Sequence, residues 1–406
     1  MSLTMWRVAW RNLWRHKQRT TLMIATVSVG SLVILVLFGL TDGMMGSMTS
    51  TQIDWDQGDF QIRTSAYAND PIPEHALSAD QVSAATAALA AVPTTGIAPR
   101  LETYGMLRSA HGTAAIVLRG IDPAMESQVT LLDDSVVGGQ SVSTDGDILL
   151  PARLARDLDV RVGERVVVLA VGGEGTESRA FIVSGLFESP SFAMEQVALA
   201  TIDDVRGVTG VDGATSLAVG LPNGASAARA VEGARVALAG LEGVEVADYF
   251  DSNPFARLMV SGSAVRMVPF VLMISLMAGF GVANTTFYSI LERTREFGVM
   301  TAVGMNRRLL ARTVLIESTI VAAVGFVIGG GIGYGVLVYL SRHGWDLSVL
   351  SDMLGSIGFP RIVYASTSGW HWLVALSVVA FTALAAAWYP ARRANRLEPV
   401  TAIREG

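Results

Sequence analysis

Cysteine is absent from the 406 residues. No disulfide framework, thiolate metal site or thiol nucleophile is available, and no cysteine can carry a lipid. Lysine is almost absent too, since Lys17 is the only one. A phosphate-binding P-loop needs G-x-x-x-x-G-K-[ST], with its lysine on the phosphates. Lys17 lies in RHKQRT, with no glycine before it, so the chain holds no Walker A motif. The same scarcity argues against Schiff-base lysine chemistry. Charge is thin throughout: 16% of residues are charged and 51% hydrophobic, where soluble domains carry about 25% charged residues. His75 and His111 stand isolated and no metal-ligand spacing is present, so no catalytic constellation suggests itself.

What is there is a set of long apolar runs with an uneven charge division around them. Asp42 to Ala264 holds 29 Asp and Glu against 13 Arg, a balance of −16, while the short flanking segments are basic. That is the signature of membrane topology rather than of nucleic-acid binding. Thr21 to Leu40 carries no charge over twenty residues, enough for about 30 Å of hydrocarbon at 1.5 Å per residue. A cleaved signal peptide has a shorter apolar region, so cleavage is not expected. Further spans read as Met267 to Ile290, with Pro269 placed to kink it, then Thr313 to Leu340, then Trp370 to Tyr389 between aromatic belts. Asn284 reads as a polar bond between helices. Glu317, near Arg312, reads equally as a functional carboxylate or a structural pair. Gly325, Gly329 and Gly333 repeat at spacing four, which predicts a close helix–helix contact.

The expected organisation is a membrane protein with four transmembrane α-helices and a large α+β extracytoplasmic domain inserted between the first two. In residues, 1–20 is an amphipathic cytoplasmic helix, 21–41 the first span, 42–264 the outer domain and 265–291 the second span. Residues 292–312 are a cytoplasmic loop, 313–340 the third span, 341–369 a short outer loop, 370–389 the fourth span and 390–406 a cytoplasmic tail. In the first segment Trp6, Trp10, Leu13 and Trp14 line one helix face beside Arg7, Arg11 and Arg15, which suits the inner-leaflet surface. Within the outer domain, strands are expected at Asp59–Thr64, Thr113–Asp122 and around the GGEGTE turn. A strand then helix is expected over Asp147–Val160, and helices near Ser78–Ala90 and Ser226–Leu241.

The loop ERTREFGVMTAVGMNRRLLAR, Glu292 to Arg312, has charged ends and an apolar centre of Phe297, Val299, Met300, Ala302, Val303 and Met305. Its arginine excess places it on the cytoplasmic side. An ordinary positive-inside loop and a short helix that docks on a partner both account for these residue types.

Four stretches together resemble one family. AWRNLWRHKQRT resembles the opening of FtsX/MacB-type permeases, A-x-R-N-L-x-R-x-K-x-R-T. ERTREFGVMTAVGM resembles their loop, E-R-x-x-E-I-G-x-x-x-A-x-G. YPARRANRLEPVTAIR resembles their ending, and DGDILLPARLARDLDVRVGERVVV their extracytoplasmic core. The resemblance implies the permease subunit of an ABC transporter in the bacterial inner membrane, with both termini cytoplasmic. Two such subunits, alike or different, would assemble with two ATPase subunits that bind ATP and Mg. No cofactor, metal or catalytic residue is then expected in this chain. The loop would be a coupling helix, with Glu292, Arg293, Arg295, Glu296, Gly298 and Gly304 in its ATPase-contacting segment. MacB carries a fused ATPase segment not found in these residues, and FtsX proper has a smaller outer domain. The arrangement is most similar to the LolC and LolE lipoprotein-releasing subunits. Membrane lipids would enter at the outer ends of the first two spans, around Leu40, Met44, Leu258 and Met259. The expected role is lipoprotein extraction by mechanotransmission, passed on to a periplasmic carrier. The alternatives are efflux of peptides or drugs with a periplasmic adaptor, and signalling to a cell-wall hydrolase.

Overall fold

The computed structural model describes residues 11, 13, 17–172, 175–252, 257–258, 262–292, 307–347 and 362–394. The chain forms two compact units. One comprises Met1–Met45, Ser261–Leu347 and Arg361–Gly406, and the other Gly46–Val260 with Ser348–Pro360. Helix α1, Lys17–Gln52, carries the first span and continues well beyond Leu40. Hydropathy marks the apolar stretch but not the helix end. The segment after Asp42, GMMGSMTSTQ, contains no proline, and nothing in it stops the backbone ladder. The helix closes with a π-turn, Ile53–Gln57, and Gly58 at φ +72° turns the chain into the first strand.

The α+β unit is built on a ten-stranded mixed sheet. Its strands are β1 Phe60–Thr64, β2 Gly96–Arg108, β3 Thr113–Ile121, β4 Val136–Gly139, β5 Asp147–Pro151, β6 Arg165–Gly172, β7 Gly175–Phe187, β8 Val197–Thr201, β9 Ser216–Gly220 and β10 Val244–Asp248. The order is β10-β1-β9-β2-β3-β8-β5-β7-β4, with β6 bridging β2 and β7. Its helices include α2 Ala79–Ala88, α3 Pro123–Glu126, α4 Ala152–Asp157, α5 Ile202–Thr209 and α6 Ala227–Leu238. The expected strands at Phe60–Thr64 and Thr113–Ile121 form, as do the β6–β7 hairpin and the β5–α4 strand–helix pair. α2 starts where Ser78 and Gln81 cap each other reciprocally. α5 ends at Gly210, in the left-handed conformation that suits a glycine C-cap.

Five strands of this unit went unread, each for a physical reason; β4, VVGG, is four residues with two glycines, which weaken a strand reading. β2 contains Pro99, and proline demotes a strand reading because it donates no ladder bond. Pro99 faces Leu217 of β9, and pairing with β3 begins only at Arg100, so one ladder is spared. β8 and β9 are short runs buried over nearly all their length, and β10, VEVAD, is also five residues. Periodicity alone does not separate such runs from helix fragments. Two cores result. Leu101, Leu118, Val168 and Phe181 centre one under β2, β3, β6 and β7. Phe60, Ile62, Leu89 and Leu217 centre the other, between β1, β9 and the helices α2 and α6.

The other unit is helical. Beside α1 it contains α7 Ser263–Glu292, α8 Arg307–His343 and α9 Trp370–Ala394. Among the described residues, α1, α7, α8 and α9 are the helices long and apolar enough to cross a membrane. This is a multi-pass membrane protein. Pro269 is the seventh residue of α7, past the unpaired N–H groups of the helix start, so it removes one i→i−4 ladder bond. A two-stranded ladder, β11 Trp345–Asp346 with β12 Ile362–Val363, joins α8 to α9.

Candidate functional site

At the end of α7 the exposed Glu292 accepts a bond from Arg19 of α1 at 3.3 Å. This pair stands at the start of the coupling segment expected from the sequence. Arg293, Arg295, Glu296, Gly298 and Gly304 lie outside the described residues, as do Trp6, Trp10 and Trp14. Leu13 is buried with Met23 of α1 and with Ile316, Ile320 and Val321 of α8. Leu13 therefore packs on the third span.

The glycine row of α8 lies against α1. A Cβ at Gly329 would overlap the Ser28 carbonyl and fall 2.6 Å from the Ser28 Cα. One at Gly325 would lie 2.7 Å from the Val27 Cβ, and one at Gly333 3.3 Å from the Leu32 Cα. The Ser28 hydroxyl donates to the Gly325 carbonyl at 3.0 Å, across the same contact. A second pair of glycines escaped the sequence reading. A Cβ at Gly39 would come within 2.8 Å of Leu337 and of the Ser366 carbonyl, and one at Gly43 within 2.9 Å of the Ala365 Cα. Their spacing of four is the signal that was used on α8, and the assumed end of the span at Leu40 hid it.

Of the expected lipid-entry residues, Leu40 and Met44 are half-buried on α1, Leu258 is exposed, and Met259 lies outside the described residues. A polar contact sits beside the first two. The buried His371, 1% exposed, meets Asp42 through Nε2 at 2.8 Å, and the Trp370 indole donates to the same carboxylate oxygen at 3.2 Å. Phe38 packs edge-on against Trp370, with ring centres 5.5 Å apart. A groove of about 720 Å³ runs between α7 and α9 under this point, with walls that include Leu272, Leu276, Phe280, Val374 and Phe381.

The α+β unit holds a buried ionic cluster that spacing gave no means of finding. Arg119 of β3 donates to Asp56 in the π-turn at 2.8 Å and to Glu102 of β2 at 2.6 Å. Arg100, wholly buried on β2, forks onto Glu126 of α3, which also accepts from Thr130 at 2.9 Å. Burial opposes ionisation of Glu126, but the Arg100 charge and its bonds outweigh it and hold the carboxyl below the usual range. Burial likewise opposes the charge of Arg119, yet Glu102, Asp56 and Glu126 together push its pKa up. Burial and Glu102 raise the Tyr67 hydroxyl, and burial and Asp56 raise that of Tyr249. Glu126 and Arg119 therefore stay charged at neutral pH, and both phenols stay neutral. Among the described residues no group of three His, Asp or Glu could hold a metal ion.

Residues 269–399 match the family described as FtsX-like permease C-terminal. The macrolide export ATP-binding/permease protein MacB of Rhodopirellula baltica is 39% identical over 135 residues, 32% of this chain and 17% of that protein. The uncharacterized ABC transporter permease YknZ of Bacillus subtilis is 32% identical over 133 residues, 32% of this chain and 28% of that one. The chain thus spans less than a third of the length of these relatives. The periplasmic region of MacB from Actinobacillus actinomycetemcomitans is similar at a TM-score of 0.35 and 12% identity, over 50% of this chain and 92% of that structure. The extracellular domain of YknZ is similar at 0.34 and 13%, over 47% and 99%. At these scores the fold of the α+β unit rests on its own strand order.

Proposed function

We propose that this FtsX/MacB-like chain is the permease subunit of an ABC transporter, driven by a separate ATPase through the loop between α7 and α8. The observation that carries the reading is the family match over residues 269–399, which takes in α7 from Pro269, that loop, α8 and α9. The loop carries five arginines within Glu292–Arg312. By the positive-inside rule it faces the cytoplasm with both termini, and the α+β unit faces outward. In a bacterium the membrane is the inner one. The partners are two ATPase subunits holding ATP and Mg, and a second permease chain. This chain performs no hydrolysis of its own.

The work done is a conformational change of the outer domain that frees an amphiphile from the membrane, with acylated proteins as the cargo. The apolar groove between α7 and α9 supports a cargo with hydrocarbon chains. The likeness to LolC and LolE rests on the sequence motifs alone. A second reading, export of peptides or drugs through an adaptor, draws support from the printed name of the MacB relatives.

The test is to purify the full chain in mild detergent with its neighbouring genes co-expressed, and to identify its companions by mass spectrometry. An ATPase with a Walker A motif, together with acylated proteins, supports lipoprotein release. An ATPase with a periplasmic adaptor moves the reading to export. No ATPase at all, with the α+β unit intact, refutes the coupling role of the loop.

A further inference from the structure

α7 is the least buried of the four long helices. Small residues, Ser275, Gly279 and Ala283, lie on the side that lines the groove shared with α9. The groove's volume of about 720 Å³ is that of a small-molecule site. Phe280 of α7 and Phe381 of α9 line it and are 73% and 74% exposed. From Trp370 to Phe381, eleven residues along α9, the helix rises about 16 Å. That is close to half of a hydrocarbon core of about 30 Å. This part of the groove therefore matches an acyl chain of one leaflet.

The Trp370 end of the groove is polar and carries a negative charge. Trp370 and Phe38 line the groove there. The Trp370 indole donates to Asp42 Oδ2, and His371 meets the same oxygen. The Asp42 side chain is 31% exposed. Both bonds fall on one of its two oxygens, whereas a carboxylate has room for about four donors. The buried His371 has no protein partner at Nδ1. A neutral ring donating from Nε2 leaves only an acceptor there, while a doubly protonated ring would bury an unpaired N–H. His371 thus gives Asp42 a hydrogen bond and no charge. Among the described residues no arginine pairs with Asp42.

These features select a cation attached to a hydrocarbon chain. A primary ammonium donates to the open side of the carboxylate and lies against the exposed indole face. A headgroup whose only charge is phosphate meets a like charge instead. A helix of a second copy would fill the apolar part but leave the Asp42 charge without a counterpart.

We propose that the groove and Asp42 hold a membrane phospholipid with a primary amine headgroup, its acyl chain between α7 and α9 and its ammonium on Asp42 and Trp370. The proposal rests on the reading above that this groove takes hydrocarbon chains, and adds the class of headgroup.

The test strips the full chain of lipid in mild detergent. Palmitoyl-oleoyl phosphatidylethanolamine and phosphatidylglycerol are then added in equal amounts, and bound lipid is read by native mass spectrometry. Arginine-rich segments attract the anionic lipid in every variant, so the readout is the change in the ratio of the two lipids. Asp42→Asn keeps the shape and an acceptor for Trp370 and His371. It should lower the ratio of ethanolamine to glycerol lipid about three- to tenfold, as loss of one exposed ion pair with its cation–π contact implies. Ser377→Trp fills the groove from an exposed position and should lower bound ethanolamine lipid by a similar factor.

An unchanged ratio in Asp42→Asn overturns the headgroup assignment, and the groove stands if Ser377→Trp still loses lipid. Full retention of lipid by Ser377→Trp overturns the groove reading with it. If Asp42→Asn does not fold, Trp370→Leu decides by the same ratio. A dimer with neither lipid bound assigns the groove to a second copy and overturns the proposal.

Discussion

The contact between α8 and α1 makes a graded prediction from one helix. Alanine substitution at a helical glycine gains about 0.5–1 kcal/mol of backbone propensity wherever the new methyl is free. Gly331 and Gly335 meet nothing within 4 Å, so Gly331→Ala and Gly335→Ala should be neutral to stabilising. Gly329→Ala meets backbone, which cannot rotate away. Its Cβ would lie 2.6 Å from the Ser28 Cα, where ordinary contact starts at 3.4 Å, and the Ser28 carbonyl is nearer still. The two helices must separate by most of an ångström, and overpacking of this kind costs about 1–3 kcal/mol. Separation also weakens the bond from the Ser28 hydroxyl to the Gly325 carbonyl. After the propensity gain, a net loss of about 1–2 kcal/mol remains. Gly325→Ala should lose less, since its nearest neighbour is the Val27 side chain at 2.7 Å, and Gly333→Ala least, at 3.3 Å from the Leu32 Cα. Thermal unfolding in one detergent, with all five variants measured together, reads the order. Equal midpoints for Gly329→Ala and Gly331→Ala would refute the packing argument.

Four further outcomes are expected. Arg19→Glu should lower stability by about 0.2–1 kcal/mol, the range of exposed pairs, and Arg19→Glu with Glu292→Arg should recover it in a double-mutant cycle. His371→Ala should cost about 1.5–3 kcal/mol in detergent unfolding, because Asp42 loses its bond to the buried imidazole. Glu126 titrates lower when folded than its unfolded value near 4.5, so its contribution is complete above that pH and is lost as the pH falls through the folded value. Melting of the full chain between pH 7 and pH 3.5 should show this loss, and Glu126→Gln should flatten it while lowering stability at pH 7. Glu296→Lys should weaken association with the proposed ATPase in co-purification and leave membrane insertion unchanged; unaltered association would count against the coupling segment.

Much of this protein could be read without coordinates, because the bilayer imposes simple rules. Twenty uncharged residues from Thr21 to Leu40 can hardly do anything but cross hydrocarbon. The arginines within Glu292–Arg312 are the ground for the proposed cytoplasmic side of the loop. The glycines of α8 could be chosen because small residues at spacing four share one helix face. The same rule would have found Gly39 and Gly43 had the helix not been ended at the hydropathy boundary.

In the α+β domain, strands with clean alternation such as Phe60–Thr64, and hairpins with glycine turns, were legible. β2 with its proline and the buried β8 and β9 were not, because their one-dimensional pattern is shared by loops and helices. The sequence by itself determined the membrane class, the four spans, the insertion of an α+β domain and the absence of a phosphate-binding lysine motif. These follow from composition and local periodicity. The tertiary structure alone decided that Asp56 meets Arg119 across 63 positions and Asp42 meets His371 across 329. Such pairings depend on which strands and helices become neighbours, and no local propensity encodes a partner that far along the chain.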